Sequence, residues 1–163
     1  MKGVSRVWKC LAILAICVPL PALHAAPQTN ETALVRSCEA QISGKFRQWR
    51  IAPVKEPDRN QTRLFADFDG DGRRDVALLI TTGADRHIAI CLNTRSALKL
   101  YLIDKPYCND GIAISRKGVR YYDFENDKEG VYARDGVHAY CSEKAGATYQ
   151  FENDAFRRIV DDD

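Results

Sequence analysis

The chain lacks the short patterns that mark most catalytic centres. It has no Gly-x-Ser-x-Gly turn to expose a serine, no phosphate-cradling glycine loop and no His-Glu-x-x-His zinc helix. It also lacks a Cys-x-x-Cys pair or any close Cys/His spacing, so a thiolate metal centre has no framework. Histidine is scarce. Beyond residue 25 only His87 and His138 remain, each in or beside a strand-like run, where an ordinary strand histidine is expected. The acidic pairs Glu125/Asp127 and Glu152/Asp154 lie in turn-like polar stretches, which read as solvated surface. A catalytic carboxylate needs burial or a neighbour to tune its pKa. No catalytic residue is assigned, and a non-enzymatic protein is expected.

Charge of one sign is lacking as well. The formal net charge is +2, from 24 basic and 22 acidic residues. Lys2, Arg6 and Lys9 fall in the first 25 residues with no acid beside them, so the remainder stands at −1. A near-neutral domain gives no argument for nucleic acid or an anionic membrane surface. Residues 1–25 read as a secretory signal: a basic start, a short apolar core from Cys10 to Leu20, then Pro19, Pro21 and small residues near Ala25. That core is too short to span a bilayer, which takes about 20 apolar residues, and no later run reaches that length. Ile16 before Cys17 argues against a lipoprotein signal. Residues 26–163 are then one exported domain, expected in a bacterial periplasm or outside the cell.

Four of the six cysteines lie in that domain: Cys38, Cys91, Cys108 and Cys141. An even number in an oxidising compartment points to two disulfides, with three possible connectivities. Cys38 with Cys91 and Cys108 with Cys141 is a working guess that the spacing does not select.

Against these absences stands one concentrated motif. The run Asp67-Phe68-Asp69-Gly70-Asp71-Gly72-Arg73-Arg74-Asp75 puts carboxylates at loop positions 1, 3, 5 and 9, with glycine at position 6. A hard divalent cation takes six to eight oxygens, and alternate residues of a sharply turned loop supply them. The side chains of Asp67, Asp69, Asp71 and Asp75, with the backbone carbonyl of Arg73, make an oxygen-only set suited to Ca²⁺; zinc would call for Cys or His. The same run also reads as an acidic Asp-Gly turn without an ion. However, four aspartates this close repel one another unless a cation neutralises them. An EF-hand is excluded, because its position 12 carries a bidentate Glu and here holds Leu78. The flanks, residues 63–66 and 76–80, read as strands, so the loop joins an antiparallel hairpin.

The rest of the domain reads as α+β. Residues 29–43 form a helix, with Leu34, Val35, Cys38 and Ile42 on one face, Thr29 or Asn30 as cap and Gly44 at its end. Phe46, Trp49 and Ile51 read as an extended segment ending at Pro53. Strands are expected at 62–66, 75–81, 87–93, 98–103, 112–115, 119–123, 137–142, 147–152 and 155–160. Short turns between them favour an antiparallel meander, with the N-terminal amphipathic helix packed on one face. Residues 125–130 read as an exposed loop.

From Asp67 to Ile80 the chain resembles the calcium-binding hairpins of FG-GAP and VCBS-type repeats. It holds a single copy, with no blade-length period, which excludes a multi-blade propeller. A weaker resemblance joins residues 65–72, Ala133-Arg134-Asp135-Gly136 and 155–159 to small proteobacterial envelope proteins with one such loop. Some similar single-loop proteins inhibit lysozymes or protect against cell-wall-degrading toxins. The resemblance implies a structural Ca²⁺ and a protein partner in the envelope, a cell-wall hydrolase or toxin. The alternatives are a structural or accessory envelope protein and a carbohydrate-binding module. The seven tyrosines, concentrated between Tyr101 and Tyr149, suit either an interface or half-buried strand positions.

Overall fold

The computed structural model describes residues 31–54, 61–141 and 145–162. The expected signal and the capping residues Thr29 and Asn30 lie outside them. Helix α1 (Glu31–Lys45) buries Leu34, Val35, Cys38 and Ile42, spaced so that all four share one face. Gly44 does not end it: the helix runs to Lys45, and the Phe46 amide donates to the Ile42 carbonyl at 2.8 Å.

Strands β1 (Arg50–Ile51), β2 (Arg63–Ala66), β3 (Asp75–Thr82), β4 (Asp85–Asn93) and β5 (Leu98–Asp104) form one antiparallel sheet. β3 pairs with β4 on one side and with β1 and β2 in succession on the other. A second antiparallel sheet holds β6 (Gly111–Ser115), β9 (Gly136–Tyr140), β10 (Gly146–Glu152) and β11 (Ala155–Asp162), in the order β11, β10, β9, β6. β7 (Arg120–Asp123) and β8 (Lys128–Val131) pair only with each other, as a two-stranded arm.

Alternation along β3 explains the layering. Val76, Leu78 and Ile80 face α1, in a cluster with Leu34, Val35, Cys38, Ile42, Ala89 and Cys91. Ala77 and Leu79 face the other way, with Leu64, Ile88 and Ile90, and meet Ile112, Val137, Ala139 and Tyr149 of the second sheet. A strand covered on both faces loses the polar alternation of a half-exposed one. The order is therefore helix, sheet, sheet.

Two expectations are corrected. The strands do not make one meander, because the apolar second face of β3 and β4 needs its own cover, which the second sheet provides. Residues 125–130 are not wholly loop, since β8 begins at Lys128. It escapes an apolar pattern because its side chains are largely exposed. Gly130 leaves room for the Tyr121 ring: a Cβ there would stand 2.4 Å from its Cζ and would force the ring to move.

The four cysteines pair as Cys38–Cys91 and Cys108–Cys141, with Cα atoms 5.8 and 4.9 Å apart. The first bond ties α1 to β4. The second ties the β5–β6 connection to the residue after β9.

Phe68, the second residue of the acidic run, is fully buried in the core between the sheets. It anchors the loop to both sheets. Phe68→Ala is expected to cost about 3–5 kcal/mol in urea unfolding. A loss under about 1 kcal/mol would mean that the anchor carries little of the packing.

Candidate functional site

The acidic run connects β2 to β3, whose last pair is Ala66 with Asp75. Gly70 and Gly72 adopt φ of 80° and 84°, a region open to glycine and strained for residues with a Cβ. These two turns fold the loop back on itself. Asp67, Asp69 and Asp71 each bring one carboxylate oxygen within 4.8 Å of the others.

Backbone amides hold these carboxylates in place. Asp67 accepts from the Gly70 amide at 2.8 Å and from the Gly72 amide at 2.9 Å, one on each oxygen. The Asp71 amide donates to Asp69 Oδ1 at 3.0 Å, and the Arg73 amide to Asp71 Oδ1 at 2.8 Å. Burial raises the Asp69 carboxyl above its ordinary range, the hydrogen bond from Asp71 lowers it, and the charges of Asp71 and Asp67 raise it further. Three carboxylates converge here with no Lys or Arg side chain paired to them among the described residues.

Asp75 is placed differently. It is fully buried, and its two oxygens accept the Phe68 amide at 2.8 Å and the Asn93 amide at 2.7 Å. The first bond closes the loop; the second ties it to the end of β4. Desolvation dominates its carboxyl and, against those two bonds, pushes its pKa up to about 7. Asp75 stands outside the converging trio but at the root of the loop.

Basic side chains brace the loop from outside. Arg134 Nη1 donates to the Asp69 carbonyl at 2.5 Å, and the Arg134 carbonyl accepts from the buried Gln150 amide at 2.8 Å. Arg74 meets Glu31 of α1 at 2.6 Å. A cleft of ≈ 340 Å³ opens beside the loop, lined by Asp67, Asp69, Gly70, Lys117, Arg134 and Asp135. The bracing by Arg134 was not read from the sequence, where it is one arginine among many.

Both remaining histidines sit in strands and are buried. His87 Nε2 lies 2.7 Å from the Thr82 hydroxyl, and Nδ1 lies 2.8 Å from Asp104 Oδ1 without the alignment of a hydrogen bond. The Phe46 ring stacks on the imidazole at 5.5 Å. His138 belongs to a buried polar network in the second sheet. Asp161 accepts the hydroxyls of Tyr132 and Thr148, while His138 Nδ1 lies 3.1 Å from Thr148 Oγ1 and 3.3 Å from Asp161 Oδ1. Of the acidic pairs weighed above, Glu125 pairs with Arg158 at 2.6 Å and Glu152 with Arg157 at 3.2 Å, both partly exposed.

Burial alone would raise the Asp161 carboxyl, but hydrogen bonds from His138, Thr148 and Tyr132 outweigh it and hold the group below its ordinary value. The folded pKa is depressed, so this stability is present above about pH 4 and is lost as the pH falls below it. In urea titrations the protein should lose stability between about pH 4 and pH 2 more steeply than Asp161→Asn. That variant should be weaker by about 1–3 kcal/mol at neutral pH, where it lacks a charged acceptor. Parallel profiles would show that the network adds no differential proton affinity.

No protein-family model, no curated protein and no solved structure matches the chain.

Proposed function

We propose that this is an exported, non-enzymatic Ca²⁺-binding protein that binds a protein partner in the cell envelope. The observation that carries the metal reading is the meeting of Asp67, Asp69 and Asp71 oxygens within 4.8 Å. Oxygens that share one Ca²⁺ at about 2.3–2.6 Å lie at most about 5 Å apart, so the spacing suits that ion. The Arg73 carbonyl is the next donor in the proposed set. Asp75, outside that 4.8 Å group, is the remaining proposed donor, and each of its oxygens keeps a lone pair beside its one amide bond. Water fills the rest of the shell. With every protein donor an oxygen held by the backbone, the ion is a clamp that fixes the β2–β3 loop.

The partner reading rests on the arm. Val119, Tyr122, Phe124 and Val131 are 51%, 39%, 48% and 54% exposed, on or beside β7 and β8. They are four of the five large apolar side chains left exposed among the described residues, so the apolar surface is concentrated rather than scattered. Concentrated exposed apolar surface marks interaction sites. The loop resemblance nominates a cell-wall hydrolase or toxin as the partner to test.

Two measurements check these readings separately. A site held about 100-fold above its dissociation constant adds about 2.7 kcal/mol, or very roughly 5–15 °C in melting midpoint. Millimolar Ca²⁺ should produce that shift relative to EDTA, and Asp69→Ala should abolish it. An equal midpoint in both buffers would leave the aspartates as a bare turn. For the arm, the purified protein should slow at least one class of lysozyme-like hydrolase, and Phe124→Asp should remove that effect without changing the melt. Failure to inhibit or bind any hydrolase class would sink the partner reading while leaving the metal reading intact.

A further inference from the structure

The two-stranded arm has two unlike faces. In its register Arg120 pairs with Val131, Tyr121 with Gly130, Tyr122 with Glu129 and Asp123 with Lys128. Directly opposite residues share a face, and successive residues of a strand alternate between faces. One face is turned to the fold: Tyr121 stacks on Tyr132 at 4.6 Å, and Asp123 is buried. The other carries Arg120, Val131, Tyr122 and Glu129, all exposed. Phe124 continues that face beyond Tyr122, the two rings meeting edge-on at 5.1 Å. The four residues line one cleft of ≈ 480 Å³, and the rest of its lining, Tyr121 and Gly130, also belongs to the arm.

These four residues mark the corners of a rectangle, about 7 Å along the strands and about 5 Å across them. Charge occupies one diagonal, Arg120 and Glu129, and apolar side chains occupy the other, Tyr122 and Val131. Neither Arg120 nor Glu129 is in an ion pair among the described residues. A surface patterned in this way is complementary to itself. A second copy, rotated half a turn about the Tyr122–Val131 diagonal, brings its Glu129 to Arg120 and its Arg120 to Glu129. The same operation sets Tyr122 against Tyr122 and Val131 against Val131 at the centre. The ribbons then cross steeply, as in orthogonal sheet packing. Such a contact uses one patch on both copies, so it closes at two.

We propose that the arm is a self-association surface, on which two copies pair face to face through Arg120, Tyr122, Glu129 and Val131. A second copy meets both unpaired charges and both apolar corners in one contact. The inference rests on the arm as the binding surface and adds its regulation, because a paired arm is withheld from the envelope partner. Two small arms bury less than the about 1,200 Å² of stable complexes, so the pairing is weak and depends on concentration. A dilute sample is monomeric, and the partner competes for the same face.

The test is sedimentation equilibrium of the purified protein from about 10 μM to about 1 mM, with no hydrolase present. Across that range the average mass of the wild type should climb from the monomer toward the dimer. Arg120→Glu and Glu129→Arg should each stay monomeric, because each sets like charges across the contact at both ends. Mixed one to one, the two variants should associate again, since one then offers two acids and the other two bases. Both positions are exposed, and unchanged melting midpoints check that each variant folds. Three results would overturn the proposal: a wild type that is monomeric at about 1 mM, a single variant that associates as well as the wild type, or a mixture that stays monomeric. Any of these leaves hydrolase inhibition to its own assay, and a chain that dimerises but inhibits no hydrolase loses only the partner reading.

Discussion

The constraint on which the architecture depends is that β3 has no exposed face. Its side chains alternate between α1 and the second sheet, so neither cover is optional. Removing either would return a row of aliphatic side chains to water at about 25 cal/mol per Å². From this the placement of the acidic loop follows. The loop opens into β3, and Asp75 is both its last acidic residue and the first residue of that strand. Phe68 descends from the loop into the inter-sheet core, while Asp75 takes the Phe68 and Asn93 amides. A polar, exposed turn is thereby rooted at both ends in the most buried part of the molecule.

Much of this was legible because it rests on local rules. The face of α1 follows from residues spaced three and four apart, and most strands follow from β-branched and aromatic runs between turn residues. The second sheet was not read, although a signal existed. Val76–Ile80 is apolar at every position, which in an antiparallel setting means cover on both sides. Of the arm, β7 was expected at 119–123, but β8 was missed for the opposite reason. Lys128, Glu129 and Gly130 show no apolar alternation, and β8 is held by pairing with β7 and by the Tyr121 ring lying over Gly130. At the loop, the sequence placed four carboxylates within one nine-residue run but could not say which of them meet. Three converge, and the fourth turns to the backbone, because that choice depends on Asn93, eighteen residues further along the chain. Arg134 as a brace, and Asp161 as the centre of a network with His138, depend on longer-range contacts still.

Two kinds of carboxylate stand out among the described residues. Asp75, Asp123 and Asp161 are buried, and each is met by donors. Asp75 takes two amides, Asp123 takes the amides of Glu125 and Asn126 with the Asn126 side chain, and Asp161 takes two hydroxyls. Asp135, less buried, takes the Lys117 amide and the Arg116 side chain. Fixed dipoles or a guanidinium meet the oxygens in each case, which is how a buried carboxyl is satisfied away from bulk water, though at Asp75 burial outweighs its two amides.

Asp67, Asp69 and Asp71 are the exception. Backbone amides satisfy part of each group, yet what the side chains face across the turn is one another. Arg134 reaches the loop, but its guanidinium bonds to the Asp69 carbonyl. Exposure to water screens the repulsion without removing it, and burial at Asp69 weakens even that screening. Asp67 takes two amides and Asp69 and Asp71 one each, but no side-chain cation pairs with any of the three among the described residues, and that is the charge a bound divalent cation would supply under the proposed reading. The proposed cation therefore stands or falls on charge alone, since the backbone already meets part of each carboxylate's hydrogen-bonding need.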